Sequence, residues 1–275
     1  MRTAHLFAGA GGGLLADLIL GHTPTLAVEW DKYCCQVLRE RAADGWFPEL
    51  SVWEGDVRMF DPSEYTGKVD CIHAGFPCQD ISVAGKQSGL GEGTRSGLYR
   101  EVIRIAGVIR PEYIFLENVA AILSNGLECV LADVAALGYD CRWTCLRASE
   151  CGAPHHRDRW WLLAHSNSNG KPTVSLDAET VCESDSTRTE RFNIWDVAYT
   201  SVQGLQKRKM FGRLSGQKEQ SNKRENPSVG SWWTTEPELG RVVDGLALRT
   251  HRIKALGNGQ VPIQAAAAWR ILGGP

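Results

Sequence analysis

A glycine cluster set between a strand and a helix constrains this chain more than any other feature. Gly9-Ala10-Gly11-Gly12-Gly13 follows the short apolar run His5–Ala8 and precedes Leu14–Leu20, which stops at Gly21. Glycines at such a turn let backbone N–H groups approach a ligand closely, and they let the chain turn tightly. The same strand–helix alternation continues downstream. Thr25–Glu29 reads as a strand, Lys32–Ala42 as a helix, Ser51–Glu54 as a strand ending at Gly55-Asp56, and Val69–His73 as a fourth strand. Leu98–Ile109 is an amphipathic helix, Tyr113–Leu116 a strand running into Glu117, and Leu127–Leu137 a helix stopped by Gly138. Arg142–Arg147 and Trp160–Ala164 add two strands, and Val261–Leu272 an alanine-rich helix with Pro262 in its first turn. Alternation of this kind predicts a doubly wound α/β fold with a mostly parallel sheet covered on both faces.

The character of the chain changes near His165. Residues 166–240 are rich in Ser, Asn, Thr, Gly, Lys and Glu and have few periodic apolar runs, which predicts a small insertion of short strands and long loops, with a disordered linker as the alternative. Periodicity returns at Gly240–Leu248. With 275 residues and 43% hydrophobic content, the chain can build one large core plus this small unit. Its formal net charge of −2 does not by itself announce a nucleic-acid partner. The distribution says more: Lys207, Arg208, Lys209, Arg213, Lys218, Lys223 and Arg224 lie close together, with Glu219 the one acid among them. The nine cysteines are odd in number and contain no Cys-x-x-Cys, so neither a disulfide framework nor a zinc ribbon is indicated; no metal and a reducing cytoplasm are expected. No stretch reads as a membrane span.

The chemistry is carried by strand ends. Glu29, at the end of the second strand, suits two ribose hydroxyls, Trp30 offers a flat face for an adenine, and Asp56 ends the third strand as an acceptor for an adenine amino group. The glycines do not form Gly-x-Gly-x-x-Gly, because the sixth position from Gly9 is Leu14. The fourth strand leads into Gly75-Phe76-Pro77-Cys78-Gln79, which ends in a nucleophile rather than in a nicotinamide-facing site. Both points favour S-adenosylmethionine over a dinucleotide. Cys78 on a strand-to-loop turn, with the Glu117 carboxyl on a neighbouring strand end, suits attack on a pyrimidine ring: the thiolate adds to C6 while the acid holds N3.

These words, in order, resemble those of the DNA (cytosine-5) methyltransferases. They are Phe7-Ala8-Gly9-Ala10-Gly11-Gly12, Glu29-Trp30-Asp31, Gly55-Asp56-Val57, Gly75-Phe76-Pro77-Cys78-Gln79, Glu117-Asn118-Val119, Arg157-Asp158-Arg159 and Gly257-Asn258. The resemblance implies the S-adenosylmethionine-dependent methyltransferase type of sheet. It also implies a catalytic and cofactor-binding domain of residues 1–165 plus 241–275, and a target-recognition domain of residues 166–240. It implies a cofactor site of Phe7, Gly9, Gly11, Glu29, Trp30, Asp56, Val57, Gly75, Leu98 and Asn258, with S-adenosylhomocysteine as product. The catalytic set would be Cys78, Glu117, Arg157 and Arg159, with Pro77 and Asn118 positioning the base and the loop. Two positions depart from the pattern: His155 stands where the arginine word usually begins with Gln, and His5 where the first strand usually carries an acid.

The target base of such an enzyme must leave the duplex to be reached. Residues 80–97 would then close as a lid, and Gln79, Ser82, Lys86 and Arg95 are its candidate DNA contacts. A Cys78 thiol at about 8.5 needs a nearby positive charge to ionise at neutral pH, and Arg159 is the implied source. Duplex DNA is the expected partner of a monomeric chain, with a separately encoded restriction endonuclease as a further one. Three rival readings keep parts of the pattern: a tRNA cytosine-5 methyltransferase, an inactive DNA-binding relative, and a nicotinamide-dependent dehydrogenase.

Overall fold

The computed structural model describes residues 1–77, 98–124, 126–167 and 249–275. The elements are β1 (Arg2–Leu6), α1 (Gly12–Leu20), β2 (Thr23–Glu29), α2 (Lys32–Ala43), β3 (Ser51–Glu54) and β4 (Cys71–Gly75). They continue with α3 (Tyr99–Ile109), β5 (Tyr113–Asn118), α4 (Leu127–Ala136), β6 (Tyr139–Arg147), β7 (Asp158–Ser166), α5 (Arg249–Asn258) and α6 (Pro262–Ile271). The strands form one seven-stranded sheet in the order β3-β2-β1-β4-β5-β7-β6. Neighbours from β3 through β5 pair in parallel, and β7 runs antiparallel to both β5 and β6. The predicted α/β class is therefore the observed one. The order reverses between β1 and β4, the point at which ligands bind outside the carboxyl ends of open α/β sheets.

Both faces of the sheet are covered, and side-chain alternation divides the core in two. Ile114 and Leu116 of β5 join Trp160 and Leu162 of β7 and Val102 and Ile105 of α3 on one face. Phe115, Trp161 and Leu163 point the other way, where they meet Ala265, Ala266 and Trp269 of α6. This period of two explains why Trp160 and Trp161 are neighbours and yet both wholly buried. Each such ring contributes roughly 4–6 kcal/mol of transfer free energy, most of it offset by conformational entropy. Small residues let α1 approach α6: Ala16 packs among the alanines of the C-terminal helix.

Element boundaries move by one to three residues from those predicted. β4 starts at Cys71 rather than Val69, because Asp70 is held in the preceding turn, where its carboxylate accepts from the Arg2 N–H at 2.7 Å. β1 ends at Leu6, since Phe7 has a left-handed backbone (φ 58°) that leaves the strand and begins the glycine turn. α5 has no counterpart among the predicted elements. The run Gly240–Leu248 and residues 168–239 lie outside the described residues, as do Cys78, Gln79, Ser82, Lys86 and Arg95. Among the described residues, no helix is long and apolar enough to cross a membrane.

Candidate active site

A cleft opens at the carboxyl ends of β1, β4 and β5. Phe7, Gly9, Gly75, Glu117 and Asn258 line it together with His5, His73 and Gln260. Four of the predicted cofactor residues therefore meet around one space, although they come from positions 7 to 258. Gly11 is not in the lining; it is the left-handed residue (φ 96°) that begins α1, and a Cβ there would press on Leu38. Leu98 precedes α3 and packs against the core, and Val57 is buried.

The donor side is organised by Glu29. One carboxylate oxygen accepts from the Gly9 N–H at 2.7 Å, and the other from Trp30 N–H at 3.0 Å and Asp31 N–H at 2.8 Å. A carboxylate has about four acceptor sites, so three backbone donors leave room for about one more, on the oxygen that faces Gly9. Trp30 is 70% exposed, so core packing does not explain it. Asp31 caps α2 through the N–H groups of Tyr33 and Cys34 and binds Lys254 Nζ at 3.0 Å, which ties α5 to the cofactor end of the sheet. Asp56 caps a short 3₁₀ turn, and the Arg58 guanidinium covers both of its oxygens. A glycine-lined cleft, a ribose-height carboxylate with one lone pair free and an exposed indole fit an adenosine-bearing cofactor. The Asp56 carboxylate meets an adenine amino group only if Arg58 moves.

The acceptor side is built on β5. Gly75 pairs with Glu117 across the β4–β5 ladder, so the chain leaving β4 toward Phe76-Pro77 passes directly by this carboxyl group. Asn118 is buried, donates from Nδ2 to the Phe76 carbonyl at 3.4 Å and accepts from the Val119 N–H at 2.8 Å. It thus steadies the segment two residues before Cys78. Arg159, entering β7, places Nε 2.8 Å from Glu117 Oε1. Burial pushes the Glu117 pKa up, while the Arg159 charge and hydrogen bonds from Gln260 and Arg159 oppose the rise.

The first arginine of the Arg157-Asp158-Arg159 word does something else. Arg157 has a left-handed backbone (φ 31°) and donates to the carbonyls of Gly257, at 2.9 Å, and Gly259. It is a tie between the loop before β7 and the turn after α5, and its guanidinium is engaged with main chain rather than with Glu117. His155, at the other departure from the family word, is exposed.

His5 marks a group that sequence reasoning missed. Its Nε2 lies 2.6 Å from Asp17 Oδ2, which also accepts from the Thr3 hydroxyl, and His22 Nδ1 lies 3.6 Å from Asp17 Oδ1. His73 on β4 lies with its ring centroid 4.8 Å from that of His5, the two rings tilted by 46°. His5, Asp17 and His73 bring three potential ligand atoms within 4.8 Å of one another, a cluster that the expectation of no metal centre did not foresee. Its short contacts are hydrogen bonds between complementary groups, as in a buried polar network. The one visible signal was the pair of unlikely residues, His in the first strand and Asp in an apolar helix.

Comparison with known proteins bears on this geometry. Residues 1–261 match the C-5 cytosine-specific DNA methylases. The chain is 37% identical over 166 residues to the Type II methyltransferase M.CviJI of Paramecium bursaria Chlorella virus IL3A, covering 59% of this chain and 42% of that protein. It is 33% identical over 171 residues to the Type II methyltransferase M.HhaI of Haemophilus parahaemolyticus, covering 61% and 50%. The chain thus spans half or less of the length of these relatives. In fold it resembles a putative DNA modification methyltransferase encoded within an Escherichia coli prophage, with a TM-score of 0.50, 24% identity, and coverage of 66% of this chain and 53% of the other. With a match that runs from β1 to the turn after α5, this chain belongs to the C-5 cytosine-specific DNA methylase family.

Proposed function

We propose that this protein transfers a methyl group from S-adenosylmethionine to C5 of a flipped-out cytosine in duplex DNA, through a covalent bond between Cys78 and C6. The observation that carries the reading is the Glu117–Arg159 pair at the end of β5, opposite Gly75, which precedes the cysteine by three residues in sequence. Pairing of this kind gives a buried carboxyl group a fixed direction and a proton affinity that burial raises and the guanidinium limits.

The cofactor supplies an electrophilic methyl group. Glu29, Trp30, Phe7, Gly9 and Asn258 would hold it, with Glu29 taking a ribose hydroxyl. Cys78 adds as thiolate to C6 of the ring, and the displaced π pair moves toward N3, where Glu117 hydrogen-bonds or protonates it. C5 becomes enamine-like and would form the bond to the methyl carbon as the sulfur–methyl bond breaks, leaving S-adenosylhomocysteine as the thioether product. Loss of the C5 proton to a base then returns the electron pair, which expels the Cys78 thiolate and restores the aromatic ring. Arg159 fixes Glu117; Asn118 fixes the chain that presents Cys78; Arg157 acts from a distance by holding the turn that carries Asn258. Gln79, Ser82, Lys86 and Arg95 would contact the DNA backbone, with residues 166–240 reading the target sequence in the major groove as a target-recognition domain. The protein would act as a monomer in the cytoplasm, with a cognate endonuclease encoded elsewhere.

Covalent trapping tests the reading. Duplex DNA with 5-fluorocytosine at target sites, incubated with the protein and S-adenosylmethionine, should yield an adduct stable to denaturation, because fluorine cannot leave C5 as a proton does. Cys78→Ser should abolish the adduct while retaining DNA binding. An undiminished adduct from that variant, or an adduct formed on tRNA and not on duplex DNA, would overturn it.

A further inference from the structure

We propose that Gln260 is a positioning residue for Glu117, holding its carboxyl group toward the base site in both of its protonation states. The proposal rests on the function inferred above for Glu117. Gln260 lies in the turn between α5 and α6, and neither its type nor its place belongs to any of the words that identified the site. The turn is pinned from outside by Arg157, which holds the carbonyls on either side of Asn258.

Three glycines, two at the start of α1 and one at the end of β4, border this residue closely. A Cβ on Gly12 would stand 2.3 Å from the Gln260 carbonyl oxygen, and one on Gly13 would stand 2.7 Å from its side-chain Oε1. A Cβ on Gly75 would stand 2.9 Å from both Gln260 Nε2 and Glu117 Oε2. The Gly12 approach is to main chain and admits no side chain there; a Cβ at Gly13 or Gly75 would instead push the carboxamide or the carboxyl group out of its present place. Gln260 Nε2 lies 3.4 Å from Glu117 Oε2, while Arg159 Nε lies 2.8 Å from Glu117 Oε1. The carboxyl group therefore has a donor on each oxygen, one charged and one neutral.

The neutral donor has a property that the charged one lacks. A carboxamide carries both a donor and an acceptor, and turning it over exchanges them. It can donate to a Glu117 carboxylate and accept from a Glu117 carboxylic acid, whereas a guanidinium can only donate. A group that must hold and release a proton beside N3 needs a partner that serves both states. A 3.4 Å contact also leaves slack to tighten when a base fills the site, as catalytic hydrogen bonds commonly do. Because the Gln260 N–H favours the ionised form, removing it should let burial raise the proton affinity of Glu117 further.

The test uses the full chain with Gln260→Met, which keeps size, and Gln260→Glu, which places a second carboxyl group against Glu117. The first readout is the titration of the Glu117 carboxyl carbon by NMR in the free protein, assigned with Glu117→Gln. Both variants should titrate at higher pH than the parent protein, Gln260→Glu the more so. The second is single-turnover methylation of duplex DNA across pH. The maximal rate of Gln260→Met should fall about tenfold, the loss of one hydrogen bond to a charged group, and the pH profile should move with the titration. Affinities for S-adenosylmethionine and for DNA should stay as they were. An unmoved titration, or a rate loss matched by an equal loss of cofactor affinity, would overturn the proposal; the latter would make Gln260 a wall of the cofactor cleft only. A parent protein that methylates no DNA would sink the proposed function instead, and the carboxyl titration would still decide the coupling.

Discussion

Two buried carboxyl groups in this protein, Asp17 beneath the glycine turn and Glu117 at the end of β5, are pushed in opposite directions. Both lie out of water, so burial raises the proton affinity of each. At Asp17 that effect is outweighed by the charge of His5 and by hydrogen bonds from His22 and His5, and the group falls well below the usual carboxylate range. At Glu117 the Arg159 charge and the Gln260 carboxamide oppose burial without reversing it, and the group stays above its ordinary value. Partners, not depth, set the two carboxyl groups apart. Asp17 is closed in by Thr3 and His5 of β1 and by His22 in the turn after α1, all within twenty residues of it. Glu117 faces the cleft and takes its partners from β7 and the C-terminal turn, both far away in sequence.

The sharpest way to break this contrast is to neutralise Glu117. Glu117→Gln keeps the shape and a hydrogen bond to N3 but supplies neither a removable proton nor a charge. Methyl transfer to DNA should fall by about a thousandfold, within the range assigned to general acid–base and electrostatic catalysis. Thermal stability should change little, because Arg159 is partly exposed and can be rehydrated. Single-turnover rates with calorimetry on the same samples check both halves. A variant that folds less well yet reacts normally would place Glu117 with Asp17, as a structural group.

The mirror experiment is Asp17→Asn. It leaves His5 and His22 facing an amide instead of an anion, and removing one side of a buried pair costs about 3 kcal/mol. The urea midpoint should drop accordingly, while DNA methylation measured below the transition should persist. A loss of cofactor binding as large as the loss of stability would show that the network belongs to the site rather than beneath it.

These two groups also differ in how far the sequence disclosed them. Glu117 was legible because a strand ending in an acid, next to a strand ending in Pro77-Cys78, makes chemical sense before any coordinates. Glu29 and Trp30 were legible for the same reason; in the structure they stand at the end of β2, with the indole exposed and the Glu29 carboxylate accepting from the Gly9 N–H. Asp17 registered only as an interruption of an apolar run, since its partners Thr3, His5 and His22 gain meaning once β1 and α1 pack side by side. Arg157 carried the wrong suggestion by proximity to Arg159: on a regular strand two residues this far apart would share a face, but Arg157 lies just before β7 and its left-handed backbone turns it to the C-terminal segment. Helix α5 was invisible because Arg249–Asn258 has no strong apolar stripe; Lys254 and the Arg157 clamp, both long-range contacts, fasten it. Gln260 had no local signal at all. Its trace in the sequence was the glycines at 12, 13 and 75, whose second reason for being glycine appears only when the chain end folds over them.

The smallest effect comes from acid, and it separates the members of the buried network. His73 is buried among His5, Asp17, Phe115 and Trp161, and burial, together with the charge of His5, pulls its pKa down to about 3 from an unfolded value of 6.5. Between those limits the unfolded chain holds a proton that the folded one does not, so stability rises with pH across that window and declines on acidification. The slope is about 1.4 kcal/mol per pH unit for the one proton. Asp17 has the usual carboxylate sign: its contribution is present above about 3.8, and is lost only as pH falls further toward its depressed folded value. Glu117 acts oppositely, because a raised carboxyl pKa makes the folded state the better proton binder just above 4.5. A loss of stability between pH 6.5 and 5 is thus assigned to His73 and not to either acid. Urea midpoints at pH 7, 6 and 5 should fall less steeply in His73→Leu than in the parent protein, and Asp17→Asn should leave that part of the slope in place. Identical slopes for the parent and His73→Leu would return the acid sensitivity to other groups and leave the two carboxyl environments as the only contrast that titration can see.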